Sequence, residues 1–308
     1  MQTARSYAAT AVVCGHLAIL GACAATQAEI DSGSRFATAG IAYVDALPAV
    51  FDESFRLTVR MNSDQLLLAR QDLLDSGGAM TAQDSQDTLA DALESADELL
   101  AARQQLLENL RRHSRLLRSY FTALQALTDK RNASGITATT RDIVASLAAL
   151  RPGIEGTMVG NAKVTDLTGP GVQLVVANYE NAALREELRL RGGAIERELA
   201  LQQAVLEALA DDMIDNAETI IQVEELNPIF EEFTGDGRVS AAWSDRRTMA
   251  FKQSVSLDSY NEIKKAAATM HRAWIALVEN RGSEVNLDAL LRDIERFLAL
   301  ARLFEAAE

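Results

Sequence analysis

Cysteine and histidine are almost missing from this chain, with two and three copies among 308 residues. A disulfide framework is therefore excluded, and zinc catalysis has little to draw on, since it needs three protein ligands taken mainly from these two residue types. The di-iron type of helical bundle needs two Glu-x-x-His motifs; neither His113 nor His271 lies in one. Proline is also scarce, at four residues, and aromatics make up 5%. With abundant Ala, Leu, Glu, Gln and Arg, that poverty favours long helices over sheets. Positive charge is outnumbered, 30 basic residues against 44 acidic, for a net charge of −14. Such acidity argues against nucleic acid and against a polybasic attachment to anionic lipid. No Gly-x-Ser-x-Gly, Walker loop or dinucleotide fingerprint occurs, so nucleophilic and nucleotide chemistry have no sequence support. Gly153-Ile154-Glu155-Gly156 and Gly169-Pro170-Gly171 are glycine-rich, but no Lys-Ser/Thr follows them.

What is present begins at the N-terminus. Arg5 precedes an apolar stretch, Ala8 to Leu20, and no acid occurs before Glu29. This is the layout of a secretory signal peptide, and the stretch is short of the about 20 apolar residues that a spanning helix needs. It ends in Leu20-Gly21-Ala22-Cys23. That run resembles the lipobox of bacterial lipoproteins: an aliphatic residue, two small ones and the cysteine that receives the lipid. The resemblance covers only the first 23 residues. It implies cleavage before Cys23, attachment to a membrane through acyl chains on Cys23, and Cys23 as the one cysteine of the mature protein. One acyl chain holds a protein only marginally, whereas two or three hold it firmly. Ala24 stands where an aspartate retains enteric lipoproteins at the inner membrane, which implies the outer membrane, facing the periplasm. The alternative is an ordinary signal peptide with Cys23 incidental. Removing residues 1–22 leaves 286 residues and, with Arg5 gone, a net charge of −15.

Residues 23–35 read as a small, polar tether and residues 36–308 as a single all-α domain: an elongated antiparallel helical bundle with long coiled-coil-like helices and short accessory ones. The first helical pattern runs from Phe36 to Leu74, kinked or divided at Pro48. The second, Gln83 to Arg131, is the clearest. Leu89, Ala96, Arg103, Leu110, Leu117 and Leu124 recur every seven residues, with Leu99, Leu106, His113, Tyr120 and Leu127 as the companion series. This is the seam of a helix packed along another. A short helix is expected over 139–150 and an irregular loop over 151–171, which holds five of the seventeen glycines; long loops of this kind are often functional. A third long helix spans 172–225, with Gly192-Gly193 marking a kink, a break or a close helix approach. Asn227-Pro228 ends it. A fourth runs from Val239 to Asn280 with the seam Tyr260, Ile263, Ala267, Met270, Trp274 and Leu277. Ser259 and Glu262 have the spacing of a capping box. Asn286 caps a terminal helix whose inner residues are Leu290, Ile294, Phe297 and Ala301. No second composition regime stands out.

Candidate sites are few. No catalytic residue, cofactor or metal ligand is expected, and the chain reads as a non-enzyme. His113 sits on an apolar seam and reads as a core histidine before it reads as a ligand or pH sensor. Asp211-Asp212 with Asp215, and Glu231-Glu232, read as solvated helix faces. Arg111, Arg115 and Arg118 fall within about 60° on one helix face, and Arg112 adjoins them. They form the strongest basic cluster, either a site for an anion or an acidic partner, or pairs for acids on a neighbouring helix. The leading functional expectation is a lipid-anchored scaffold or adaptor that binds a protein partner in the cell envelope. A small-ligand-binding lipoprotein, with its site near residues 151–171 and Gly192-Gly193, is the alternative. A pore-forming protein is a third, for which Val172 to Ala177 is too short and too polar an insertion segment.

Overall fold

The computed structural model describes residues 27–75, 81–128, 158–159, 162–163, 184–279 and 287–306. They form an all-α bundle plus one antiparallel pair of two-residue strands, Met158–Val159 with Ala162–Lys163. The helices are α1 (Gln27–Asp75), α2 (Ala82–Thr128), α3 (Leu184–Ile220), α4 (Asn227–Thr234), α5 (Trp243–Ser256), α6 (Asn261–Val278) and α7 (Leu287–Glu305). A π-helical segment, Ile221–Leu226, joins α3 to α4, and a 3₁₀ turn, Leu257–Tyr260, joins α5 to α6. The expected helix over 139–150, and nearly all of the loop over 151–171, lie outside the described residues.

α1 is the axis. It packs on α2, α3, α6 and α7, and Phe36, Ala37, Tyr43, Leu47, Val50 and Phe51 along it are buried. Its 49 residues run to roughly 73 Å. It continues through Pro48, so the expected division does not occur. Pro48 is exposed while Leu47 and Val50 on either side are buried, and packing of the inner face outweighs a proline cost of about 3 kcal/mol. α1 also begins at Gln27, inside the residues expected to form a tether. Gly33 explains the difference: a Cβ there would lie 3.0 Å from Leu184 Cδ2 and 3.1 Å from Thr128 Cγ2. The small residues that suggested a linker instead allow three chain segments to meet.

That meeting point defines one end of the bundle, here the proximal end. From it α1 and α3 run outward while α2 returns; α6 also returns, and α7 runs outward. The proximal core is aromatic, with Phe36 5.8 Å from Phe121, 5.4 Å from Trp274, and Tyr120 6.0 Å from Trp274 between ring centroids. Midway, Tyr43 packs on Phe297 at 5.6 Å. Farther out Tyr260 stacks on Phe304 at 5.7 Å. Leu290, Ile294, Phe297 and Ala301 are buried on α7, and Ile263, Ala267, Met270, Trp274 and Leu277 on α6, in the expected registers.

The expected α2 seam closes only in part. From Arg103 to Leu124 its members are buried, but Leu99 is 69% exposed. Past the Arg60–Glu224 ion pair, α1 and α2 continue as a two-helix arm, because α3 with its π-helical extension, α6 and α7 reach no farther than the level of Glu224, Tyr260 and Phe304. Two helices alone shield one stripe each, which leaves Leu67, Leu68, Leu74, Leu93 and Leu99 in solvent.

Candidate functional site

The bundle interior carries a ladder of polar groups that apolar helix periodicity does not demand. Near the proximal end Glu187 pairs with Arg191 one turn along α3, and Tyr120 Oη donates to Glu187 Oε1 at 3.5 Å. Burial lifts the Glu187 carboxyl above its ordinary range even with Arg191 beside it. Next, His113 Nε2 touches Glu198 Oε1, with both side chains fully enclosed. Burial pushes Glu198 well up and His113 down to about 4. Burial thus disfavours the charge on both members of the pair. No described protein group bonds His113 Nδ1 or Glu198 Oε2. Outward again, Arg103 donates to Ser54 Oγ at 2.7 Å and pairs with Asp212. Burial still raises Asp212, which Arg103 opposes. Asn216 Nδ2 bonds Thr58 Oγ1 at 3.4 Å and Asp212 Oδ2 at 3.3 Å. Tyr260 Oη donates to Glu53 Oε1 at 3.3 Å, and Glu53 also holds Arg56. These groups specify which helix faces meet, because a shifted register strands charges in apolar surroundings. None pairs a nucleophile with a base.

The distal end is built differently. Asn227-Pro228 was expected to terminate the third helix; instead the chain widens into the π-helical turn and continues into α4, with Pro228 in its first turn. A helix start tolerates proline's missing N–H, and π segments often mark functional sites. Glu224 on that segment forms a two-pronged ion pair with Arg60 of α1. Asp64 lies against it; burial, then the Glu224 charge, raise the Asp64 carboxyl, while the Arg60 bond holds Glu224 down. A half-open cleft of about 130 Å³ sits there, lined by Leu57, Arg60, Ile221, Glu224, Gln253 and Leu257. It is smaller than the about 300 Å³ at which drug-sized ligand sites begin.

Beside the cleft, α4 and α5 form a hairpin with its aromatic side chains outward. Phe233 stacks on Trp243 at 5.4 Å, and the Arg247 guanidinium lies 5.5 Å from the Trp243 ring centre and 5.6 Å from that of Phe251. Trp243 Nε1 donates to the Ile229 carbonyl at 2.9 Å, and Glu232 pairs with Arg246, which ties the two helices together. Phe230, Phe233, Met249, Phe251 and Val255 are all more than half exposed. α5, the 3₁₀ turn and α6 together cover the expected 239–280 helix from Trp243 to Val278. Leu257 and Tyr260 are buried in the 3₁₀ turn between them. Ser259 does not form the expected capping box; its hydroxyl donates to the Ser256 carbonyl at 2.6 Å.

Of the residues singled out from sequence, Cys23 lies outside the described residues. Arg111 pairs with Asp52 and Glu108, and Arg118 with Asp45. Arg112 and Arg115 are exposed, and neither has an ion-pair partner among the described residues. Asp211 pairs with Lys264, and His271 Nδ1 meets Gln203 Oε1 at 2.9 Å. Gly192-Gly193 makes no break: α3 runs through it, the Trp274 indole donates to the Gly192 carbonyl at 2.9 Å, and a Cβ there would lie 2.9 Å from Val278. It is the close helix approach. Among the described residues no three His, Cys, Asp or Glu side chains gather as metal ligands, and no helix is long and apolar enough to cross a membrane. Missed from sequence was the aromatic hairpin. Its signal was the cation-rich stretch 238–256, with four basic residues and one acid in an acidic chain. No protein-family model, curated protein or solved structure matches the chain.

Proposed function

We propose that this chain is a lipid-anchored protein of the bacterial cell envelope, held by Cys23 in the outer membrane and facing the periplasm, and that it works without catalysis by docking a protein. The single observation that carries the docking is the distal end. There, exposed leucines of the two-helix arm and exposed aromatics of the α4–α5 hairpin at its base are both open to solvent, toward the opposite end of α1 from its first residue, Gln27. Large exposed apolar patches of this kind mark interaction surfaces, and aromatic residues with arginine are the anchors that protein interfaces favour. Leu20-Gly21-Ala22-Cys23 supports the anchor, and only residues 24–26 separate Cys23 from α1. An anchor there would place the docking surface up to roughly 70 Å from the membrane.

The test is photo-crosslinking in cells from positions 93 and 233, against a control at exposed position 119 on the bundle wall. The expected outcome is a discrete protein adduct from the first two positions and none from the control. A smear from all three, or no adduct from any, would contradict docking at the distal end.

A further inference from the structure

The distal end carries two surfaces that complement each other. Residues 61–75 and 82–102 of the arm hold nine carboxylates against one cation, Arg70, a local net charge of −8. Residues 238–256, which include α5, hold four cations against the single acid Asp245, a local net charge of +3. Each surface pairs its charge with bare apolar side chains. On α2, Glu94 and Asp97 lie within about 100° of the exposed Leu93 around the helix. On α5, Arg247, Phe251 and Val255 follow one another at intervals of four and so share a face, with Lys252 adjoining. Val255 is 73% exposed. Among the described residues, no carboxylate pairs with Arg238, Arg247 or Lys252, and no cation pairs with Glu94 or Asp97.

The two surfaces cannot satisfy each other within one molecule. α5 is fixed at the base of the arm, where Gln253 and Ser256 line the same cleft as Leu57 and Arg60. The exposed arm residues lie farther out along α1 and α2. A second molecule approaching head to head, related by a two-fold axis, brings each arm onto the other's hairpin. That contact is made twice and closes, which is the condition for a discrete dimer and not a fibre.

We propose that the partner of the distal surface is a second copy of this chain. The acidic, leucine-bearing arm of each copy would seat on the basic, aromatic α4–α5 hairpin of the other. This rests on the reading of the distal end as a docking surface; it does not depend on the anchor. Opposite charge sets the register and speeds encounter, and the leucines and aromatic rings supply the apolar burial.

The test is sedimentation velocity on the purified full-length protein, in a non-ionic detergent that masks any acyl chain. The wild type is expected to be dimeric at micromolar concentration, with weaker association as salt rises. Arg247→Glu with Lys252→Glu should be monomeric, and so should Glu94→Lys with Asp97→Lys, each at least tenfold weaker in self-association and each keeping the wild-type helical circular dichroism. An equal mixture of the two variants should recover the dimer, because both reciprocal contacts regain opposite charge. A wild type that stays monomeric, or variants that dimerise unchanged, overturns the proposal. A monomer that cosediments with anionic phospholipid vesicles also overturns it, in favour of a lipid surface. A monomer that still gives the in-cell adduct with a different envelope protein overturns self-pairing alone; no self-association and no adduct defeats the docking reading as well.

Discussion

His113 and Glu198 set a condition on stability that no surface residue does. Above about pH 6.5 His113 is neutral folded and unfolded, so it contributes no pH dependence there. As pH falls from 6.5 toward 4 the unfolded chain takes up that proton before the folded one, and stability falls. Glu198 acts in the opposite sense. Its folded carboxyl keeps its proton above the unfolded value of 4.5, so stability falls as pH rises from there. Glu198→Gln keeps a polar side chain of the same size against His113 and removes the titration. Its melting temperature should therefore exceed the wild type's by more at pH 8 than at pH 5, with a slope of up to about 1.4 kcal/mol per pH unit. A difference independent of pH would mean that Glu198 is ionised in the fold. His113→Leu, by contrast, strands the carboxyl and should cost about 1–3 kcal/mol. The seam position of His113 was legible as an interior one, since it recurs with Leu106 and Tyr120 at intervals of seven. Its partner was not, because Glu198 is one of 44 acids and only the register of α3 against α2 selects it.

At the scale of elements, apolar spacing was a sufficient guide wherever a helix is covered on its inner side, as along α6 and α7. It failed where coverage changes along one helix. Leu89 and Leu99 keep the heptad phase of Leu110 and Leu106, yet they lie beyond the reach of α3, and nothing local to α2 records where another helix stops. Proline and glycine misled for a related reason. Pro48 and Pro228 are tolerated by an exposed helix face and by a helix start. Gly33 and Gly192 serve contacts with Leu184 and Val278, distant in sequence. The Gly192-Gly193 pair separates the two roles that glycine can have. A Cβ at Gly193 meets nothing within 4 Å, so Gly193→Ala should stabilise by up to about 1 kcal/mol through helix propensity. Gly192→Ala presses on both Val278 methyls and should destabilise by about 1–3 kcal/mol. Denaturant midpoints measure both. Equal effects of the two substitutions would show that α3 does not approach α6 closely at that point.

For the whole molecule, direction is the organising property. One end is sealed by aromatic packing among Phe36, Phe121, Tyr120 and Trp274 and lies next to the start of α1. The interior ladder fixes the helices in register between the ends. The other end leaves leucines, phenylalanines and unpaired charges in solvent. The basic cluster read from sequence proved partly occupied, with Arg111 and Arg118 bound to α1 carboxylates, and among the described residues Arg247 and Lys252 of α5 have no ion-pair partner, whereas Arg246 is held by Glu232. The proposed anchor would hold the proximal end at the membrane and the proposed docking surface away from it, and that part of the account turns on Cys23. Metabolic labelling with a palmitate analogue tests it. Wild-type protein should carry the label and partition into membranes, and Cys23→Ala should lose both label and membrane partition. Unlabelled wild-type protein, or label retained in Cys23→Ala, would contradict the lipid anchor.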